Sequence, residues 1–267
     1  MSAVDACRLP VDGGDAVFCE VTGHGRPLVL THDGFLHRES WDAQFESLSR
    51  SYRVVRWDRR GYGRSDEPRA PYASDDDLAR VVASLTEPPA VLMGCSNGGL
   101  LSLQCALKHP ELVAALVLVG PIVSGLGFTG HFTSRGGRRA GGVLTAAEEI
   151  EYWSSTDPWL IAPANSGARD RLRALLAANP NNLRPKEDLE RAFESPVLAR
   201  LGQIVVPTLI IAGERDIADV HAHCGAIEAA IPAARRLVLP GSGHLPHFEV
   251  PSTFNTAVLG FLADQQH

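Results

Sequence analysis

The feature that most constrains this 267-residue chain is a rhythm. Short runs of β-branched and aliphatic residues at 17–21, 28–31, 53–57, 90–95, 115–119, 208–212 and 236–239 alternate with helix-spaced apolar patterns at 41–50, 75–85, 98–109, 220–230 and 251–263. Parallel strands need crossover connections, which cover both faces of the sheet and leave the strands uniformly apolar. The rhythm therefore predicts an α/β fold with a mainly parallel sheet flanked by helices. Asp75 and Ser252 are expected helix starts, because a short polar side chain can accept from the free N–H groups of a first turn.

The rhythm breaks between Pro121 and Val205, where Gly, Arg and Pro are frequent and no strong strand pattern occurs. Residues 1–122 and 203–267 are read as the core and 123–202 as an inserted cap. Within it, 148–154, 169–178 and 186–193 are expected to be helices and 133–142 a mobile loop. With 45% apolar residues the chain can bury a large core, which fits one domain with an insertion. A formal charge of −6 argues against a nucleic-acid or anionic-membrane partner, either of which needs a concentrated basic face. No apolar run approaches the roughly 20 residues of a membrane span, and acidic Asp5 stands where a signal peptide would be apolar. A cytoplasmic protein acting on a small molecule is expected, with a homodimer left open. Cys7, Cys19, Cys95, Cys105 and Cys224 form no C-x-x-C pair and read as reduced, mostly buried thiols.

Gly94-Cys95-Ser96-Asn97-Gly98 follows one apolar run and precedes a helical pattern, which sets Ser96 on a strand-to-helix turn. Glycines at that turn leave room for sharp backbone, and a helix starting after Ser96 aims free N–H groups at the point where an oxyanion would form. A serine hydroxyl is a weak nucleophile until a base takes its proton, and an imidazole held in one tautomer by a carboxylate is such a base. Asp216 and His244 each follow a strand run, in loops at the carboxyl edge of the sheet where open α/β sheets place their sites. Ser96, Asp216 and His244 are thus the candidate catalytic residues, with Glu214 and Asp219 competing for the acid's place. His221 and His223, two apart at a helix start, point to different sides, so no metal site is expected there. His247 reads as a packing residue near the site.

Four motifs together resemble the α/β-hydrolase family from about residue 11 onward. They are Thr31-His32-Asp33-Gly34-Phe35 with Trp41, the stretch from Asp58 to Ser65, the turn at Ser96, and the G-x-x-D and G-x-G-H pair ending in Asp216 and His244. The resemblance implies an eight-stranded, mostly parallel sheet flanked by helices with a helical cap, and chemistry of the serine esterase or lactonase kind without a cofactor. It also implies an oxyanion hole from the backbone N–H groups of Gly34 and Asn97, with Phe35 as a substitute donor. Asp33 stands where the family usually has glycine. A carboxylate facing a developing oxyanion opposes catalysis, so Asp33 is expected to point away, to pair with Arg38 or His37, or to contact substrate. The stretch from Asp58 is expected to be structural, its two arginines solvated or paired. Serine at 96, rather than aspartate, separates the chain from haloalkane dehalogenases and soluble epoxide hydrolases.

The function implied is hydrolysis of an ester or lactone of a small to medium, largely apolar substrate. Phe35, Phe128, Trp153 and Trp159 are the candidate substrate contacts, with Phe132, Tyr152 and Phe193 as further cap aromatics. Arg135, Arg138 and Arg139 read as a solvated lid, with capture of an anionic substrate as the alternative. The resembled fold also hosts carbon-carbon bond hydrolases, triad-based lyases, cofactor-free perhydrolases and small-molecule receptors.

Overall fold

The computed structural model describes residues 3–136, 144–184 and 189–265. Eight strands form one sheet in the order β1-β2-β4-β3-β5-β6-β7-β8. They are β1 (Asp5–Pro10), β2 (Ala16–Thr22), β3 (Pro27–Thr31), β4 (Arg53–Asp58), β5 (Ala90–Cys95), β6 (Val113–Val119), β7 (Thr208–Gly213) and β8 (Ala234–Leu239). From β4 through β8 every pairing is parallel, whereas β1 and β2 run antiparallel at one edge.

Alternation along the strands sends successive side chains to opposite faces. Val29 and Leu92 pack with Leu78 and Val81 of α2 (Ser74–Leu85), Leu101 and Leu103 of α3 (Asn97–Lys108) and Ile227 of α7 (Ala218–Ala230). Leu28, Leu30, Val91 and Met93 face the other way, onto Phe45 and Leu48 of α1 (Asp42–Leu48) and Phe254 and Val258 of α9 (Pro251–Ala263). Burial on both sides is why these strands read as continuous apolar runs. Helix starts differ from expectation by one residue: α2 begins at Ser74 and α9 at Pro251, a residue suited to a first turn because its missing N–H would have no intrahelical partner.

β1 has no counterpart among the sequence runs. It lies exposed at the sheet edge, so burial imposes no apolar pattern on it. All five cysteines are free, and Cys7 of β1 stands opposite Cys19 of β2. Among the described residues no helix is long and apolar enough to cross a membrane.

Between β6 and β7 the described residues add no strand to the sheet. They carry α4 (Gly130–Thr133), α5 (Ala146–Glu151), which runs into a wider turn over Tyr152–Thr156, and α6 (Ser166–Ala178). α5 begins at a reciprocal cap: Thr145 Oγ1 accepts from Glu148 N–H at 3.3 Å while Glu148 Oε2 accepts from Thr145 N–H at 2.8 Å. The helix expected at 186–193 is corrected. Its first part lies outside the described residues, and the rest is a turn and a parallel bridge in which Tyr72 N–H donates to Leu189 O (2.9 Å) and Arg191 N–H to Tyr72 O (2.7 Å). Backbone groups committed to Tyr72 cannot also close helical turns. Of the expected loop at 133–142, the part from 137 on, with Arg138 and Arg139, lies outside the described residues, whereas Arg135 is buried rather than solvated.

Candidate active site

Ser96 stands between β5 and α3 with φ 51° and ψ −113°, and among the described residues it is the one non-glycine with positive φ. Such backbone costs roughly 1–3 kcal/mol and persists only where its surroundings hold it. Here Ser96 N–H donates to Val119 O at 2.8 Å, and the chain leaves directly into α3. The flanking glycines are required by space. A Cβ on Gly94 would collide with Gly98 O, and one on Gly98 with the carbonyls of Thr31 and His32.

The candidate base and its candidate acid come together from the two neighbouring loops. His244 Nδ1 and Asp216 Oδ2 are 2.7 Å apart, with the Asp216 carboxylate fully buried. Asp216 Oδ1 accepts from Ile217 N–H at 2.8 Å, which fixes the carboxylate plane. The competing acids are occupied elsewhere: Glu214 accepts from Gly241 N–H (2.9 Å), and Asp219 binds Thr129 N–H (2.6 Å) and Oγ1 (2.9 Å). The imidazole lies 2.9 Å from where a Cβ on Gly120 would stand, and Gly120 follows Val119, which holds Ser96. Serine and imidazole thus share one edge of the sheet. Burial by itself pushes His244 down, but the Asp216 carboxylate outweighs it and the imidazole ends above its ordinary value, with Arg135 pulling down and Asp33 up.

Gly34 and Asn97 are also neighbours, since a Cβ on Gly34 would meet Asn97 Nδ2 at 2.8 Å. Asn97 is the first residue of α3, so its N–H has no intrahelical acceptor. The peptide joining Asp33 to Gly34 is oriented from behind. Its carbonyl oxygen accepts from Arg59 Nη1 (3.1 Å) and lies 2.9 Å from His32 Nδ1, while His32 Nε2 accepts from Arg59 N–H (3.0 Å). That pattern assigns the proton to Nδ1, and burial together with the Arg59 charge holds His32 well below its ordinary pKa, hence neutral. With the carbonyl tied, the Gly34 N–H on the other side of the trans peptide points the opposite way.

Asp33 does not pair with Arg38 or His37. Its Oδ1 accepts from Phe35 N–H and Leu36 N–H, both at 2.8 Å, which commits the substitute donor Phe35, whereas the Gly34 N–H has no acceptor among the described residues. Arg38 instead binds Asp58 and Glu20, and His37 contacts Asn179 and Asn182. Burial pushes the Asp33 carboxyl up against the pull of those two N–H groups, and its Oδ2 is buried without a partner.

Two of the four aromatic candidates stack together, and a third meets the site through its backbone. Phe35 stacks on Trp153 at 5.3 Å between centroids, and Trp159 O accepts the His244 N–H at 2.8 Å. Phe128 stands apart, stacked on Phe132 (3.9 Å) and on buried His223 (4.7 Å), whose Nδ1 accepts from Val123 N–H. His247 packs as expected, stacked on Trp41 at 4.0 Å.

The family model for the alpha/beta hydrolase fold matches residues 26–251. The chain belongs to the α/β-hydrolase family. Among curated relatives, a pimeloyl-[acyl-carrier protein] methyl ester esterase from Nitrosomonas europaea is 27% identical, over 90% of this chain and 96% of its own. Among solved structures, an N-acyl homoserine lactone degrading enzyme superposes with a TM-score of 0.79 at 25% identity, covering 96% of this chain and 100% of its own. A thermophilic esterase from Thermogutta terrifontis gives a TM-score of 0.79 at 26% identity, over 98% and 100%.

Several residues of this α/β-hydrolase site carry no signal in the sequence. Arg59, expected to be solvated or paired, is paired with Glu190 (3.7 Å) and also holds the Asp33 carbonyl, and Arg60 beside it is buried and paired between Asp77 (2.8 and 2.7 Å) and Asp15 (3.0 Å). Glu249 ties the histidine loop to the segment after β6: Oε1 accepts from Gly243 N–H and Oε2 from Ala162 N–H (2.9 Å). Gly120 could have been suspected from the Gly-Pro pair that closes a strand run.

Proposed function

We propose that the chain is a serine hydrolase cleaving a carboxylic ester or lactone of a small to medium substrate through an acyl-enzyme. The observation that carries this reading is the 2.7 Å contact of His244 with Asp216, made beside the strained turn that presents Ser96. Ser96 Oγ attacks the carbonyl carbon as its proton passes to His244 Nε2, and the tetrahedral oxyanion is received by the N–H groups of Gly34 and Asn97. Collapse breaks the acyl C–O bond, and the leaving oxygen takes the proton from Nε2. Water then repeats the sequence on the acyl-enzyme, giving its proton to Nε2, releasing the acid and returning Ser96 Oγ–H. These steps use no cofactor. Residues 123–202 serve as the cap, with Phe35, Trp153 and Trp159 against the substrate. Relatives whose names record a methyl ester and a lactone as targets support the ester and lactone classes.

The test is turnover of short-chain p-nitrophenyl esters by wild type and Ser96→Ala, with mass spectrometry after a fluorophosphonate probe. Labelling at Ser96 and turnover lost in the variant are expected. No labelling and no Ser96-dependent turnover in folded protein would overturn the reading and favour a receptor. Cleavage of carbon-carbon substrates with esters untouched would reassign the reaction.

A further inference from the structure

Arg135 is buried in the segment between β6 and β7, yet its guanidinium is only half engaged. Nε donates to Asp157 Oδ2 at 2.8 Å and Nη2 to Oδ1 at 2.7 Å, a bidentate arrangement that fixes the plane of the fork. Asp157 also accepts from Trp159 N–H (3.0 Å) and Leu160 N–H (2.8 Å), so its charge is shared among several donors and answers that of the arginine only in part. Among the described residues Nη1 has no hydrogen-bond partner, and it is not sealed from solvent.

Two rings say where this fork stands. The Arg135 guanidinium lies 5.3 Å from the centroid of Trp153 and 5.6 Å from that of Trp159. Trp153 is stacked on Phe35, next to Gly34, and Trp159 holds the backbone of His244. Trp153 thus lies on the Gly34 side and the Trp159 backbone on the His244 side, and the cation rests against both rings. Its charge reaches His244, where it opposes protonation. Glu149, the other carboxylate nearby, is taken by Trp153 Nε1 at 2.6 Å. Asp33, another carboxyl close to His244, spends its Oδ1 on the N–H groups of Phe35 and Leu36.

We infer that Arg135 is a carboxylate anchor and that the substrates of this site are esters or lactones bearing a carboxylate in addition to the scissile acyl group. This rests on the hydrolase reading above and narrows it. The free edge of the guanidinium receives the substrate carboxylate while Trp153 and Trp159 cover the apolar chain between it and the reacting carbon. Asp157 is a positioning residue that holds the fork in place.

The experiment compares mono-p-nitrophenyl glutarate with p-nitrophenyl valerate, which match in length and differ in the terminal charge. Wild type is expected to prefer the hemiester by about tenfold or more in kcat/KM, with a preference that shrinks as ionic strength rises. In Arg135→Met/Asp157→Asn, which removes the cation without orphaning its carboxylate, that ratio is expected to fall toward one. A measurement free of turnover and of any change at Arg135 or Asp157 accompanies it: glutarate should raise the Tm of Ser96→Ala protein saturably, and glutaramide should not. Equal kcat/KM for the two esters together with no glutarate effect would overturn the anchor and leave the hydrolase intact. No turnover of either ester, with glutarate still stabilising, would overturn the hydrolase and leave the anion site.

Discussion

The imidazole of His244 fills the space a side chain on Gly120 would need, 2.9 Å from the position of its absent Cβ. Gly120 also has φ +49°, which adds strain for any other residue. Gly120→Ala is expected to keep the fold while pushing the base away from Ser96. Misplacement of about 1 Å costs on the order of 10²-fold in rate, so kcat on a p-nitrophenyl ester should fall by about that much. Unchanged kcat in the variant would show that the ring has room to spare.

The acid limb of the rate profile should sit above the ordinary histidine value of about 6.5, because Asp216 raises His244 against burial. In the proposed mechanism the base works as neutral imidazole, so kcat/KM should fall as pH drops through that limb. Asp216→Asn should move the limb down and lower kcat by roughly 10⁴-fold. Arg135→Met should move it up and Asp33→Asn down, since the first charge opposes imidazolium and the second favours it. Profiles of kcat/KM from pH 5 to 9 check all three signs.

What was legible in the sequence was local. The turn at Ser96 is written in five consecutive residues after an apolar run, and loops that end strands carry Asp216 and His244. β1 was not legible, because an exposed edge strand needs no apolar alternation. The supporting groups were hidden for another reason: Arg135 meets Asp157 across 22 positions, and Glu249 meets Ala162 across 87. Side chains that act at such separations leave no periodic trace. The expected helix at 186–193 failed on the same account, since its described backbone pairs with distant Tyr72.

Removing His32 should weaken transition-state binding with little change in ground-state binding. His32→Leu leaves Arg59 N–H without its acceptor and loosens the carbonyl opposite Gly34 N–H. A fall in kcat of about 10- to 100-fold is expected. KM should move by less than about threefold, since the oxyanion forms only in the transition state. Steady-state kinetics on one ester give both values.

Acid should destabilise the protein through His247. Burial, aided by the His244 and Arg171 charges, pushes its pKa down to about 3, so the folded state keeps the ring neutral. The unfolded state takes up a proton below about pH 6.5. Stability due to this group is therefore present above pH 6.5 and is lost as pH falls toward 3, at about 1.4 kcal/mol per pH unit within that window. Urea titrations of wild type and His247→Leu from pH 7 to 4 should give a flatter dependence in the variant. Parallel curves would assign the acid sensitivity to other groups.

Glu249 puts two segments of the chain under one constraint. Its carboxylate holds Gly243, next to the base, with one oxygen and Ala162 with the other, and its carbonyl accepts from Asn165 Nδ2 at 3.1 Å. Recombination that exchanged the stretch between β6 and β7 for one from another scaffold would therefore reach the histidine without altering it. A crossover that leaves residues 157–165 with the host carries that support along, whereas one that removes them leaves Glu249 with a vacant oxygen. Segment exchange is therefore expected to disturb His244 less on the β6 side of the stretch between β6 and β7 than at the residues that meet Glu249.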